Sequence, residues 1–463
     1  MVDIDITHIT GVFCNSKAVI PGSIFIAIKG PNVDGHDFIK EAISAGAGLI
    51  IGSKLLDLPN YLQVDNPRAV YNELVLRHFG LDLTVDFSFI GITGTNGKTT
   101  ISFFIEQLLA SLAIKSAVIG TVNYRVGGKP YSSGQTCPSM DVIAPLLKEA
   151  IARDVRCVIM EVSSHALHQD RVAGISFDVA VFTNLTQDHL DYHKSMEEYY
   201  RAKRRLFLEY VKKDGVAVLD KSAPYADILL TDIRQSRPDL RLFVVGEDGL
   251  EIKGRVIIIN GNEIVVPENL IGAYNVVNVA LAVLSVVAMG FSVEDVAQCA
   301  GSLMPAPGRM ELHKRGGVSV IIDYAHSPDA LEKALNAIRQ QGDYKRIICV
   351  FGCGGDRDKG KRPKMGKIAE TLSDAIVLTS DNPRSEDEEA IIHDILSGIA
   401  NHDGVIVEPN RGKAICRAIE MAQTEDVVLV AGKGHEDYQE IGGRRYHFSD
   451  REEVEGCLNR LKR

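Results

Sequence analysis

The sequence predicts an α/β protein of three domains, built mostly on parallel sheets. Three observations carry this. At 463 residues the chain is too long for one hydrophobic core. Short, continuously apolar segments alternate with helical patterns, as in parallel sheets covered on both faces. The stretch "LMPAPGRME" (303–311) sets two prolines and a glycine after a helical pattern, which makes a good hinge. The expected domains are 1–85, 86–305 and 306–463.

Taken in order, "PGSIFIAIKG" reads as a strand after a Pro-Gly turn, and "HDFIKEAISAGAGLIIG" as helix, glycine break and strand. The second region opens on the apolar strand "FSFIGI". It continues through "KSAVIGT", "VRCVIMEV", "FDVAVFTNL" and "GVAVLD". The third alternates "VSVIIDY", a helix from Pro328, "RIICVFG", a helix, "AIVLTS", a helix and "DVVLVAG".

Composition excludes several classes. The net charge of −10 argues against binding a nucleic-acid backbone. No apolar run approaches the ~20 residues of a spanning helix, so no membrane insertion is expected. The start "MVDIDITHIT" has no basic-then-apolar signal pattern. The eight cysteines form no C-x-x-C pair, and reduced thiols in a cytoplasmic protein are expected.

"GITGTNGKTT" (91–100) lies between the strand "FSFIGI" and a helix whose face carries Ile101, Phe104, Ile105 and Leu108. The strict phosphate-loop pattern needs a glycine where Ile92 stands. The context is nevertheless that of a phosphate cradle. Gly94 and Gly97 let the N–H groups of Thr95, Asn96 and Thr100 converge, and the helix N-terminus adds partial positive charge. Lys98 is positioned for the β- and γ-phosphates and Thr99 for Mg²⁺. Alone, the motif says only that a nucleoside triphosphate is used.

Seven further motifs follow in order: "MEVSSHAL", "TNLTQDHLDYH", "AKRRLF", "DYAHSPDAL", "GDRDKGKRP", "DNPRSED" and "AGKGHEDYQ". With "GTNGKTT" they closely resemble the Mur ligase family of peptidoglycan synthesis, best its UDP-N-acetylmuramoyl-tripeptide synthetases. The likeness runs from about residue 14 to 452. It implies a UDP-binding α/β N-terminal domain, a central phosphate-loop ATPase domain and a Rossmann-like C-terminal domain. It also implies ATP-driven joining of an amino acid to the D-glutamate of UDP-MurNAc-L-Ala-D-Glu, by a monomer.

The resemblance assigns further residues. Glu161, at the end of its strand, and His189 match metal contacts, while Lys203 matches a lysine that CO₂ converts to N6-carboxylysine. The neighbours Arg201, Arg204 and Arg205 would depress the pKa of Lys203 and expose its reactive amine. Without H-E-x-x-H, and with carboxylates near, Mg²⁺ is favoured over zinc. Asn275, Arg309, Asp323 and His326 match nucleotide contacts. Ser16, Thr136, Cys137, Ser163, Gln169 and Arg171 match muramyl-substrate contacts. Departures from the family occur at Asn15, Lys17, Gln135 and Cys137. The loop Pro31-Asn32-Val33 matches a variable uridine contact.

Arg357, Asp381, Asn382, Pro383, Arg384, Gly432 and Glu436 match the amino-acid pocket, and "DNPR" matches members that add meso-diaminopimelate. Arg384 offers a planar fork to the second carboxylate, and Glu436 accepts from the distal ammonium. With lysine bound, an unpaired Arg384 would favour diaminopimelate by roughly a hundred- to several-thousand-fold. "GCGGDR" has Arg357 where a dinucleotide loop needs its third glycine, so NAD is not expected. A folylpolyglutamate synthetase relative would share the ATPase logic but not the N-terminal pattern together with "DNPR". A nucleotide-gated binding protein would need no amino-acid pocket.

Overall fold

The computed structural model describes residues 4–31, 33–342 and 344–461. Asn32 of the expected uridine loop lies outside the described residues. The chain is α/β with mostly parallel sheets. It forms two compact units, one of 1–253, 257–264 and 278–300, the other of 254–256, 265–277 and 301–463.

The first unit opens with a four-stranded parallel sheet in simple order, β1 (Val12–Phe13), β2 (Ile24–Ile26), β3 (Leu49–Gly52) and β4 (Tyr61–Gln63). Its larger sheet contains β5 (Ser88–Thr93), β6 (Ser116–Ile119), β7 (Tyr124–Val126), β8 (Lys129–Tyr131), β9 (Cys157–Glu161), β10 (Phe177–Phe182), β11 (Val211–Asp220) and β12 (Arg241–Val245). Their spatial order is β12-β11-β10-β5-β9-β6-β7-β8. Six strands are parallel, but β7 and β8 turn back as an antiparallel edge that the sequence reading did not foresee. The helix Lys98–Ser111 buries Ile101, Phe104, Ile105 and Leu108, as its periodicity predicts. Ile92 pairs with Glu161, so the carboxyl ends of β5 and β9 lie side by side.

A short meander follows, β13 (Leu250–Lys253), β14 (Val256–Ile259) and β15 (Asn262–Val265). The second unit holds β16 (Glu311–Arg315), β17 (Val318–Asp323), β18 (Ile347–Phe351), β19 (Ala375–Leu378), β20 (Val405–Val407) and β21 (Val427–Ala431), in the order β16-β17-β21-β18-β19-β20. Only β16 is antiparallel in this sheet. Alternate residues feed two cores. Ile321, Phe351 and Leu378 pack on one face, and Val320, Val350 and Val377 on the other. That is why these strands read as unbroken apolar runs. A hairpin, β22 (Tyr438–Ile441) and β23 (Arg444–His447), precedes the final helix Asp450–Arg460.

The expectation of reduced thiols throughout needs correction. Cys416 and Cys457 form a disulfide. They are 41 residues apart in sequence, and the packing of the helices Arg411–Met421 and Asp450–Arg460 brings their Cα atoms to 5.3 Å. No sequence spacing announces such a pair. Cys14, Cys137, Cys157, Cys349 and Cys353 are free thiols, and burial pushes the Cys157 and Cys349 thiols up to about 12.

Candidate active site

In the first unit the phosphate loop leaves the end of β5 and enters the helix Lys98–Ser111 at Gly97. Gly94 has φ +148°, and a Cβ there would come within 1.8 Å of Thr183 Oγ1. Only glycine fits that conformation and that gap. The loop is braced from the end of β10. The Thr183 hydroxyl donates to the Asn96 carbonyl (2.6 Å), and Thr95 and Asn96 donate their N–H groups to Asn184. The Thr95 hydroxyl donates to the Thr186 carbonyl (3.2 Å). These braces come from the "TNLT" segment, whose residues sequence reasoning left without roles.

Two lysines meet at one backbone atom. Lys98 Nζ donates to the Gly94 carbonyl (2.8 Å) and the Thr95 carbonyl (2.9 Å). Lys203 Nζ donates to the same Gly94 carbonyl (2.7 Å) and lies 4.7 Å from the Tyr199 ring. Lys203 is 2% exposed, and burial, then the charge of Lys98, holds its pKa well below the usual lysine value. The direction agrees with the sequence expectation, but the cause does not. Arg201, Arg204 and Arg205 are engaged by Glu197, Asp232, and Asp170 with Glu209.

Glu161 is 1% exposed at the end of β9. Its carboxylate accepts from the Thr99 hydroxyl (2.9 Å), the Thr121 hydroxyl (2.8 Å) and the Thr121 N–H (3.0 Å). Thr99 and Glu161 are therefore brought together, and their hard oxygen donors suit Mg²⁺. Lys203 fits the set only once carboxylated, since an ammonium offers no lone pair. His189 adopts φ +53°, and its ring sits 4.9 Å from that of His165 and 6.0 Å from that of Tyr199.

A second cluster gathers in the same unit. Arg171 donates to the side-chain oxygens of Gln169 (2.7 Å) and Gln135 (2.8 Å) and to the Cys137 carbonyl (3.2 Å). The Ser163 hydroxyl caps the helix Ser164–His168. The Thr136 hydroxyl lies 3.1 Å from that of Thr121. Cys137 is buried, and burial pushes its thiol up to about 12. Ser16 donates to Glu41 (2.9 Å), and Asn15 caps the turn through the Lys17 N–H. At Asn15 the departure from the family thus has a local structural role.

In the second unit Asp323 ends β17, and His326, Arg357, Asp381 to Arg384, Gly432 and Glu436 follow the carboxyl ends of β17, β18, β19 and β21, where ligands of parallel sheets bind, whereas Asn275 and Arg309 precede this sheet in sequence. Asp323 accepts from the Met310 N–H (2.8 Å), and His326 Nδ1 lies 2.8 Å from the Tyr324 carbonyl. The Arg309 guanidinium stacks 4.6 Å from the Tyr324 ring. Asn275, 3% exposed, donates to the Ile271 carbonyl (2.7 Å). Asp381, Asn382, Pro383 and Arg384 follow β19, while Gly432 and Glu436 follow β21. Asn382 donates to Glu436 (2.9 Å) and accepts from Lys433 (3.1 Å). Lys433, fully buried, also donates to Glu436 (2.9 Å). Arg357 is exposed, and donates to its neighbour's carbonyl.

Arg384 differs most from expectation. Its Nη1 donates to the Gly355 carbonyl (2.7 Å), and its Nε lies 3.3 Å from Glu440. The Arg384 N–H donates to the Glu440 carbonyl, which ties the loop to β22. Arg384 therefore has a partner of its own, and lysine in the pocket would leave no bare guanidinium. The large discrimination expected from an unpaired charge falls accordingly. Arg362 was also missed. It is fully buried, and it holds Glu386 and Asp394 under the same loop.

The phosphate loop, the adjoining acid and the buried lysine mark the first unit as the nucleotide-using part of an α/β enzyme. Residues 8–75 match the Mur ligase family catalytic domain, 92–286 the Mur ligase middle domain, and 308–434 the Mur ligase glutamate ligase domain. Two relatives carry the name UDP-N-acetylmuramoyl-L-alanyl-D-glutamate–2,6-diaminopimelate ligase. The one from Aquifex aeolicus is 41% identical, covering 98% of this chain and 95% of its own. The one from Fusobacterium nucleatum is 39% identical, covering 96% and 92%. A solved structure of the same name superposes with a TM-score of 0.72 at 30% identity, covering 99% and 97%. The chain belongs to the Mur ligase family. A Mycobacterium tuberculosis folylpolyglutamate synthase shares the fold at a TM-score of 0.64 and 18% identity.

Proposed function

We propose that this ligase uses ATP to add meso-diaminopimelate to UDP-MurNAc-L-Ala-D-Glu, releasing ADP and phosphate. The observation that carries the reading is the match, over nearly the whole chain, to relatives named for that reaction. The "DNPR" loop at the end of β19 supports the choice of amino acid. The proposed division is a UDP-substrate domain (1–85), an ATPase domain (86–305) and an amino-acid domain (306–463). We place the enzyme in the cytoplasm as a monomer. Among the described residues no helix is long and apolar enough to cross a membrane.

A carboxylate is a poor electrophile. In the proposed sequence the D-glutamate carboxylate attacks the γ-phosphorus, the bond to ADP breaks, and an acyl phosphate forms. The diaminopimelate amine then attacks the acyl carbon. Phosphate leaves with the bonding pair, and the amine loses its proton as the amide forms. Bound Mg²⁺ would neutralise phosphoryl charge during transfer, held by Thr99, Glu161, His189 and carboxylated Lys203. The protein's own groups do the rest. Lys98 leaves its carbonyl partners for the phosphates, and the Gly94–Thr100 loop offers its N–H groups. Asn275, Arg309, Asp323 and His326 hold the nucleotide. Ser16, Thr136, Cys137, Ser163, Gln169 and Arg171 hold the muramyl peptide. Arg357, Asp381, Asn382, Pro383, Arg384, Gly432 and Glu436 hold the amino acid.

Product mass spectrometry tests the reading, with UDP-MurNAc-L-Ala-D-Glu, ATP, Mg²⁺ and a panel of amino acids. The tripeptide nucleotide is expected with meso-diaminopimelate. Release of ADP without any joined product would overturn it.

A further inference from the structure

Glu161 is held in place by one residue that no motif drew attention to. Thr121 follows β6, and it contacts the carboxylate twice, through its N–H (3.0 Å) and its hydroxyl (2.8 Å). The approach is close enough that a Cβ at Gly120 would lie 2.3 Å from Glu161 Oε1. Ser133 holds the backbone from the other side, donating its hydroxyl to the Thr121 carbonyl (2.7 Å). The Thr121 hydroxyl also lies 3.1 Å from that of Thr136.

The direction of this chain follows from counting protons. A threonine hydroxyl has one hydrogen to donate. Thr121 gives its hydrogen to Glu161, so at the other contact it accepts and Thr136 donates. A run of hydroxyls therefore leads from Thr136 through Thr121 to Glu161, whose carboxylate also takes the Thr99 hydroxyl. Such chains polarise along their length, and each bond strengthens the next. Removing the middle member would free one edge of a buried carboxylate to rotate and would cut the run.

We propose that Thr121 is a positioning residue: it fixes Glu161 for the metal and links that carboxylate to the muramyl-peptide site at Thr136. This rests on the roles of Glu161 and Thr136 given under the proposed function. Thr121→Val keeps the shape and removes the hydroxyl. Loss of a group that orients a metal ligand typically costs ~10–100-fold in metal affinity or activity.

The test uses the full chain and two readouts. Mn²⁺ binding in the presence of ADP, followed by electron paramagnetic resonance, requires neither muramyl peptide nor amino acid. For Thr121→Val we expect Mn²⁺ affinity lower by roughly tenfold or more. In the ligase assay we expect kcat to fall and the KM for the UDP-linked peptide to rise, with the KM for the amino acid unchanged. Thr121→Ser should restore both readouts. If Thr121→Val does not fold, Thr121→Ala compared with Thr121→Ser carries the same test. A folded hydroxyl-free variant with parental Mn²⁺ affinity and parental kcat would overturn the proposal. If the parent protein makes no tripeptide while Thr121→Val still weakens Mn²⁺ binding, the proposed ligase reaction and the link to Thr136 are overturned and only the hold of Thr121 on Glu161 stands.

Discussion

The phosphate site and the amino-acid site treat their charges in opposite ways. Around the phosphate loop, Lys98 and Lys203 rest on neutral carbonyls of the backbone. In the second unit, charge already meets charge: Lys433 with Glu436, Arg384 with Glu440, and Arg362 with Glu386. At the first site an incoming phosphate would exchange with the backbone contacts of Lys98. At the second, a charged substrate must exchange with resident partners. Substitutions should therefore act strongly and directly at the first site, and more mildly at the second.

The sharpest way to break this comparison is Lys98→Ala. Its loss removes charge from phosphoryl transfer and should lower kcat by roughly a thousandfold or more. Circular dichroism should show an intact fold, because Lys98 is only half-buried and its two carbonyl contacts lie within its own loop. Near-parental steady-state ADP release would refute the role. Lys203→Ala follows, with an expected loss of roughly a hundred- to a thousandfold. A short-chain carboxylate added to the assay should restore part of the rate by replacing the missing oxygen ligand. A crystal structure with bound nucleotide and metal that left an unmodified Lys203 far from both would contradict this.

Two predictions sharpen the second half. The disulfide spans 41 residues, and Cys457→Ser should destabilise the second unit by roughly 3–4 kcal/mol on the chain-entropy account. Thermal melting of the variant against the parent, both without reductant, measures this. The expected result is a lower transition for the second unit alone. Arg384→Ala should cost less. A charge-assisted hydrogen bond is worth about 1.5–3 kcal/mol, so diaminopimelate kcat/KM should fall roughly ten- to a hundredfold, with the KM for ATP unchanged. Parental selectivity for diaminopimelate over lysine should be of the same size, because Glu440 remains to pair with Arg384 when lysine is bound. Equal kcat/KM for the two amino acids would show that Arg384 does not discriminate.

A further effect, outside both sites, is on stability against pH. Glu311 is partly buried, which raises its pKa, but His313, Arg451 and the Gly308 N–H outweigh this and bring it to about 2. A carboxyl depressed on folding stabilises the protein above its unfolded pKa, and this contribution is lost as pH falls toward 2. Glu311→Gln should thus destabilise at pH 7 by ~2–3 kcal/mol and hardly at all near pH 2. Denaturant unfolding at several pH values checks it.

What the sequence reveals follows the range of each interaction. The strands from "FSFIGI" to "DVVLVAG", and the helix behind Lys98, depend on local apolar pattern and were legible. The phosphate loop was legible because glycine, lysine and threonine lie within a few residues of one another. Its brace at Thr183 and Asn184 was not, since those residues are nearly ninety positions away. The same holds for Thr121 beside Glu161, for Cys416 beside Cys457, and for Glu440 beside Arg384. The depressed pKa of Lys203 was anticipated for the wrong reason. Its sequence neighbours look outward to acids, and only the fold reveals the burial.

The Gly94 carbonyl, shared by Lys98 and Lys203, has a bearing on how such a protein tolerates inherited change. An acceptor supplied by a side chain is one codon away from deletion. An acceptor in the main chain is encoded at every position and cannot be lost by substitution. What substitution can do is alter the glycine itself, and there any larger residue meets Thr183 at once. The two lysines are thus tethered to an atom that mutation cannot remove, at a position where the first side-chain carbon is already excluded.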